Sequence, residues 1–480
     1  MVIATQPKDW TGSVLHTAKG FAPTSLSVLS GAIPPGLRGS LYRNGPARLE
    51  RGNTRVAHWF DGDGAVLGIH FKDAGAMGVY RYVQSEEFQE EEHAGHFIYG
   101  GYGMLPPGAV WNRFTKPPKN AANTSVLAMR DRVLALWEGG HAHALDLETL
   151  ETRGLDDLGG LSPSMPFSAH PKRDAKTGDS YNFGVSFGQN AVLNVYRVDM
   201  TGKLRQQNQI QLEGLPLVHD FVMAGRYLLF LISPVRLNPL LVLSRLRGFS
   251  DSLEWKPEKG THILVIDRDS LEIVSQSETE PWYQWHFGNG AIDTDGNAIV
   301  NVARYESFDT NQFLKEVSTG NTETKAGSSL WQIRLNPLSG TVIAMNKVLD
   351  RDCEFPSVNP SDVGQLWRHT YLSVRRSRDL STGLFDAIAR FDQQTGDLVE
   401  ADLGEHRYAV EPLYAPDAVD LDQGWVVTVV YDGNTDTSEV WVFDSDRLND
   451  EPVCRLALPE VIPMGFHGTW KPASGLSRWK

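Results

Sequence analysis

Cysteine is nearly absent. Cys353 and Cys454 are the two in 480 residues, too few for a disulfide framework and without the CxxC or Cys/His spacing of a zinc site. A reducing compartment is expected, and any metal must be held by histidine or carboxylate. Lysine and arginine form no run that could act as a basic stripe, and a formal net charge of −14 repels phosphate backbones, so nucleic acid is excluded as a partner. The first 20 residues carry a short apolar stretch followed by Pro7, Lys8 and Asp9, without the apolar core and cleavage site of a secretory signal. The expectation is a cytoplasmic protein. Also missing are a Gly-rich dinucleotide fingerprint, a Ser/His/Asp or Cys/His nucleophile motif, and any carboxylate pair in a recognisable context.

The bulk composition is that of a well-cored globular chain, 41% hydrophobic and 22% charged. Glycine and proline are spread throughout, and no linker divides the chain, so residues 1–480 are read as one domain with an N-terminal extension over 1–30. One pattern recurs: an alternating apolar strand, a polar turn with Asp, Thr, Gly or Asn, then a second apolar stretch. It appears at Ala144–Thr152, Val195–Leu204, Ile263–Val274, Leu330–Val342, Ile388–Leu398 and Val440–Leu448. Starts roughly 50 to 70 residues apart suit four-stranded blades separated by long loops. The pattern favours an all-β propeller over a β-sandwich with insertions, which the same hairpins would also serve. Helical periodicity is scarce and strongest between Leu231 and Trp255.

Of fourteen histidines, four stand out by context: His170 in Ser-Ala-His-Pro, His219 in Leu-Val-His-Asp-Phe, His286 in Trp-Gln-Trp-His-Phe-Gly, and His467 in Gly-Phe-His-Gly-Thr-Trp. Each lies among apolar or small residues beside a turn-forming neighbour, where a buried, unpaired imidazole is costly. A propeller brings such distant strand ends to its axis, and one axial metal would satisfy all four. Spacing alone is a weak signal, since there is no HExxH or HxxxH pattern. His141 and His143 also alternate on one face of a strand, and a solvent-facing stripe explains them as well as a ligand pair.

With these residues in view, the sequence resembles the carotenoid cleavage oxygenase family over nearly its whole length. The resemblance rests on Leu41-Tyr-Arg-Asn-Gly-Pro46, Phe60-Asp-Gly-Asp-Gly64, Asn123-Thr-Ser, Leu136-Trp-Glu138-Gly-Gly, Ser168-Ala-His170-Pro, His219-Asp220, Cys353-Glu354-Phe-Pro, Glu411-Pro-Leu-Tyr and Gly-Phe-His467-Gly, in the family's order. It implies a seven-bladed β-propeller with long loops and short helices capping an axial Fe(II), bound by His170, His219, His286 and His467. It also implies that Glu138, Glu354 and Glu411 accept the far N–H of ligating imidazoles, which fixes a ring's tautomer and raises its basicity. Many relatives have a His-His pair at the third ligand; here Trp285-His286-Phe287 offers a single imidazole.

The implied reaction is cleavage of a conjugated C=C bond of a carotenoid or apocarotenoid by O2, giving aldehyde or ketone products. Placement of a lipophilic polyene is then a matter of shape, and Phe60, Trp137, Tyr283, Trp285 and Phe355 are the aromatics expected near its path. Two alternatives stand beside it. One is a stilbene-cleaving relative, in which a Lys precedes the first glutamate where this chain has Trp137. The other is a propeller that binds or isomerises retinoid-like lipids without cleaving them. The segment 231–249, within an apolar stretch 231–255, mixes leucines with Arg236, Arg245 and Arg247 and is too interrupted to span a bilayer. The resemblance implies peripheral membrane contact there, the alternative being a helix packed on the propeller.

Overall fold

The computed structural model describes residues 8–473 except 74, 379, 381, 382 and 421. Among them, seven sheets of four or more antiparallel strands follow one another along the chain and form a seven-bladed propeller. The innermost strands are Gly468–Pro472 in blade 1, Ser125–Ala128 in blade 2, Lys172–Arg173 in blade 3, Val222–Ala224 in blade 4, Tyr283–Ile292 in blade 5, Cys353–Ser357 in blade 6, and the pair Arg407–Ala409 and Leu413–Pro416 in blade 7, and those of blades 7, 1 and 2 and of blades 4, 5 and 6 touch in turn.

Blade interiors explain why these strands read as continuous apolar runs. In Tyr227–Ile232 of blade 4, Leu228, Phe230 and Ile232 pack into the wedge shared with blade 3. Their alternates Leu229 and Leu231 pack into the wedge shared with blade 5. Successive side chains point to opposite faces, and here both faces are covered. Five of the six hairpins read from the sequence are the outer two strands of a four-strand unit, in blades 2 to 6, whereas the sixth, Val440–Leu448, holds one strand of blade 7 and ends in the turn before Cys454–Ala457. Their turns share one chemistry: Asp146, Asp267, Asn336 and Asp392 each accept two backbone N–H groups within the next three residues. Several of these carboxylates also hold an arginine, as in Arg153–Asp146 and Arg368–Asp392.

The ring is closed by the two ends of the chain. Gly468–Pro472 pairs antiparallel with Gly39–Arg48 of blade 1. The approach is so close that a Cβ on Gly45 would lie 2.4 Å from the Cα of Gly465. Arg43, buried, spans the closure: its guanidinium donates to the carbonyls of Phe466 and Glu411 at 3.2 and 2.6 Å and lies 3.7 Å from the Glu411 carboxylate. The segment expected as an N-terminal extension is built into the sheets from residue 21 onward. Phe21–Ser25 pairs with the outer strand of blade 1 and Val28–Gly31 with that of blade 7, bridging the closure from outside.

The helix anticipated between Leu231 and Trp255 is reduced to Pro239–Ser244, N-capped by Asn238. Pro234 and Pro239 bar a longer one, since each lacks an N–H and disfavours helical geometry before it. The flanks instead form a ribbon, Val235–Leu237 with Leu253–Trp255. No described helix is long and apolar enough to cross a membrane. This insertion joins loops 83–120 and 305–327 as a cap. Its packing onto the propeller runs through His58, whose Nδ1 accepts the Phe60 N–H at 3.1 Å while Nε2 faces the Asn311 carbonyl at 3.3 Å.

Two outcomes are expected. Glu411→Gln leaves the Arg43 charge buried without its counter-ion and should cost about 3 kcal/mol, read as a lower denaturation midpoint in the metal-free protein. Burial pushes His58 down to about 3, so the unfolded chain takes up a proton near pH 6.5 that the fold refuses, and stability falls as pH drops through that window. His58→Gln should therefore show a smaller difference in unfolding free energy between pH 7 and pH 4 than the parent. An identical difference would mean the cap does not sense this proton.

Candidate metal centre

Every blade sends one of the seven anticipated side chains to the axis. His170 and His219 immediately precede the inner strands of blades 3 and 4, His286 lies within that of blade 5, and His467 precedes that of blade 1. Glu138 follows the second strand of blade 2, Glu354 is on the inner strand of blade 6, and Glu411 lies between the two inner strands of blade 7. The structure thus brings all seven together from positions up to 329 residues apart (467 − 138).

The imidazoles form one cluster. Ring centroids are 4.4 Å apart for His170 and His219, 4.9 Å for His170 and His467, and 4.5 Å for His286 and His467. Ring nitrogens of His170, His286 and His467 lie within 4.8 Å of one another, as do those of His170 and His219 with a Glu138 oxygen. Burial, reinforced by mutual repulsion, holds His170, His219 and His286 well below the usual histidine range. They are neutral, with lone pairs free to bind a cation.

Two of the glutamates are hydrogen-bonded to imidazoles of the cluster. His286 Nδ1 is 2.6 Å from Glu354, and His467 Nδ1 is 3.0 Å from Glu411. When Glu354 and Glu411 are ionised these nitrogens donate outward, and the two Nε2 atoms, 3.0 Å apart, are then both acceptors. Two acceptors at that distance call for an electrophile beside both. Burial pushes Glu354 up to about 8 against the hydrogen bonds from the Phe355 N–H and the Tyr305 hydroxyl; a cation at the centre would favour its ionised form. Burial also acts to raise Glu411, but His467, Arg43 and the Gly468 N–H outweigh it and leave it below the ordinary range. Glu138 stands 3.4 Å from both His170 Nε2 and His219 Nδ1, and its Oε1 and His170 Nε2 are buried without a hydrogen bond. The donor set, four clustered imidazoles with the orphaned Nε2 of His170 and the facing Nε2 atoms of His286 and His467, fits a soft-to-borderline divalent metal.

Local backbone irregularity makes this convergence possible. The ladder is interrupted between Glu354 and Ser357, and Phe355 adopts φ +52°. Regular strand geometry would send Glu354 and Phe355 to opposite faces; here the carboxylate bonds His286 and the Phe355 ring stacks on it at 5.3 Å. The inner strand of blade 5 likewise loses register on both sides of Phe287.

Of the expected aromatics, Trp285 meets the His219 ring at 4.8 Å and Phe60 meets Trp285 at 5.5 Å. Tyr283 lies one layer out against Trp285, and Trp137 lines a small cavity with Phe60, Tyr102 and Met104. His141 and His143 do not join the cluster: His143 is buried on blade 2, and His141 faces the Ser162 carbonyl. Unforeseen from the sequence are Tyr305, which donates to Glu354, and Arg43, although the latter sits in the quoted Leu-Tyr-Arg-Asn-Gly-Pro motif.

On the cap, Leu240, Leu243 and Leu246 are 76, 73 and 71% exposed. A second short helix, Asn112–Thr115, adds exposed Val110, Trp111 and Phe114, and Arg113 reaches the Arg245 carbonyl between the two. A Val-Trp-Asn-Arg-Phe run was the sequence signal for this second half of the patch. Inward, Phe249 packs on Tyr102, Tyr102 on Phe60, and Phe60 on Trp285.

Comparison with known proteins accords with this architecture. The chain is 33% identical over 454 residues to the apocarotenoid-15,15'-oxygenase of Synechocystis sp. (strain ATCC 27184 / PCC 6803 / Kazusa), covering 92% of each. It is 27% identical over 466 residues to resveratrol cleavage oxygenase 1 of Aspergillus fumigatus, covering 92% of this chain and 91% of the relative. A crystal structure of cobalt-substituted Synechocystis apocarotenoid oxygenase superposes with a TM-score of 0.89 at 32% identity over 97% of this chain and 98% of that one. Residues 16–472 match the family described as retinal pigment epithelial membrane protein, and with carotenoid and apocarotenoid oxygenases among its relatives over nine-tenths of its length, the chain belongs to that family.

Proposed function

We propose that this protein is a non-haem iron(II) dioxygenase that cleaves a conjugated C=C bond of a carotenoid or apocarotenoid. The observation that carries the reading is the facing pair of Nε2 atoms of His286 and His467 at 3.0 Å, inside a ring of four buried imidazoles. His170, His219, His286 and His467 would hold the iron, with Glu138, Glu354 and Glu411 orienting the rings. Iron(II) held by neutral ligands supplies the binding and activation of dioxygen. One molecule of O2 and one alkene give two carbonyl groups, so both oxygens are accounted for and no external reductant is required.

The chain's own residues do the placing. Phe355 stacked on His286 and Trp285 against His219 wall the centre with aromatic rings. A rigid polyene pressed between such faces presents one bond to the metal and excludes water from the others. Trp137, where stilbene-cleaving relatives carry a phenol-engaging Lys, lines the neighbouring cavity beside Phe60 with an apolar ring and favours a polyene over a phenol. The exposed leucines and Trp111 with Arg245 and Arg247 suit the headgroup boundary of a bilayer, where such a substrate dissolves.

The test is incubation of Fe(II)-loaded protein in detergent with carotenoids, apocarotenals and stilbenes, beside a metal-free control, with products identified by mass. Iron-dependent aldehydes from a polyene are expected. Stilbene products alone would replace the substrate class, and stoichiometric iron with every substrate intact would favour a binding or isomerising role. His219→Ala should lose bound iron and turnover together; full retention of both would refute the four-histidine site. On vesicles, Leu240→Asp with Leu243→Asp should weaken flotation at least tenfold, since burying each leucine contributes about 1.5 kcal/mol or more. Unchanged flotation would place the membrane contact elsewhere.

A further inference from the structure

Three of the four imidazole-bearing strands meet at one buried carboxylate that belongs to none of the glutamates. Asp220 follows His219 and its side chain is 1% exposed. Its Oδ1 accepts the Phe221 N–H at 2.8 Å and lies 2.8 Å from Lys172 Nζ, and its Oδ2 accepts the Phe287 N–H at 2.9 Å. Lys172 is two residues beyond His170 on blade 3, Asp220 lies two residues before the inner strand of blade 4, and Phe287 directly follows His286 on blade 5. One carboxylate therefore ties the backbones next to His219 and His286 to each other and, through the Lys172 ammonium, to the strand that follows His170.

The same group faces a ring that lacks a firm partner. His286 and His467 are each hydrogen-bonded to a glutamate, whereas His170 has Glu138 at 3.4 Å from Nε2 and Asp220 Oδ1 at 4.0 Å from Nδ1. A carboxylate this deeply buried is costly unless paired and hydrogen-bonded on both oxygens. It is so here, and on strands whose regular ladder is broken: the blade 5 register is lost on both sides of Phe287. An inner strand has no neighbour further in to set its position, and Asp220 supplies that constraint from the axis.

We infer that Asp220, pinned by Lys172, is a positioning residue for the histidine cluster: it sets the spacing of the strands bearing His170, His219 and His286 and the orientation of the His170 ring. This rests on the reading of those imidazoles as metal ligands and adds to it a support outside the three glutamates. Such outer partners typically change metal affinity by about 10–100-fold.

The test uses Co(II), which reports coordination through its visible absorption. Wild-type protein is titrated first by chelator competition; failure to bind there counts against the metal reading and is separate from the inference. Asp220→Asn keeps the shape but loses the ion pair, and should weaken Co(II) binding about 10–100-fold with an altered Co(II) band. Lys172→Met, which leaves both backbone bonds to Asp220, should shift affinity and band in the same direction by less. Val300→Ala, a core change within blade 5, controls for lost stability and should leave the band unchanged. Folded Asp220→Asn and Lys172→Met proteins with wild-type affinity and spectrum would overturn the inference, as would changes matched by Val300→Ala. If neither variant folds, Asp220 is a folding residue and the inference falls.

Discussion

The pairing of Gly468–Pro472 with Gly39–Arg48 is the constraint on which the site depends. A propeller is a sheet series bent into a circle, and nothing in six blades compels the seventh to meet the first. The antiparallel ladder across the closure, the Gly45–Gly465 approach and the Arg43 guanidinium together hold the ends. His467 sits directly before the closing strand, so the same pairing delivers an imidazole to within 3.0 Å of His286 on the far side of the sequence. The wedge cores between blades then transmit that closure around the ring, because each middle strand packs on both neighbours.

The outer hairpins of blades 2 to 6 were legible because their turns need a side chain that caps backbone N–H groups, and Asp or Asn at that place is visible in a sequence. Blade 1 escaped notice for the opposite reason. Its hairpin joins Asp63–Lys72 to Gly75–Tyr82 with Lys72 opposite Gly75, a turn too tight for the same signal. The segment 231–255 misled because leucines at irregular spacing mimic a helical face, while two prolines divide it into ribbon and helix. Inner strands of two or three residues, such as Lys172–Arg173, are too short for any periodicity to mark.

The four histidines could be singled out by their apolar surroundings, and the family motifs named the same four with their glutamates. Geometry adds what neither could carry. Glu138 turns out to stand between two imidazoles at equal distance, Glu354 is steadied by Tyr305, and Phe355 pays for its contact with His286 in left-handed backbone. Those details depend on strand register and bulges, which arise from contacts between blades and leave no local trace.

Each of the four imidazoles comes from a different blade, and the last lies a few residues from the end of the closing strand. The four-imidazole cluster is therefore incomplete until residue 467 is in place and the circle is shut. Completion of the donor set thus doubles as a mark of completed assembly: a molecule in which the two ends have not met lacks the facing pair of His286 and His467.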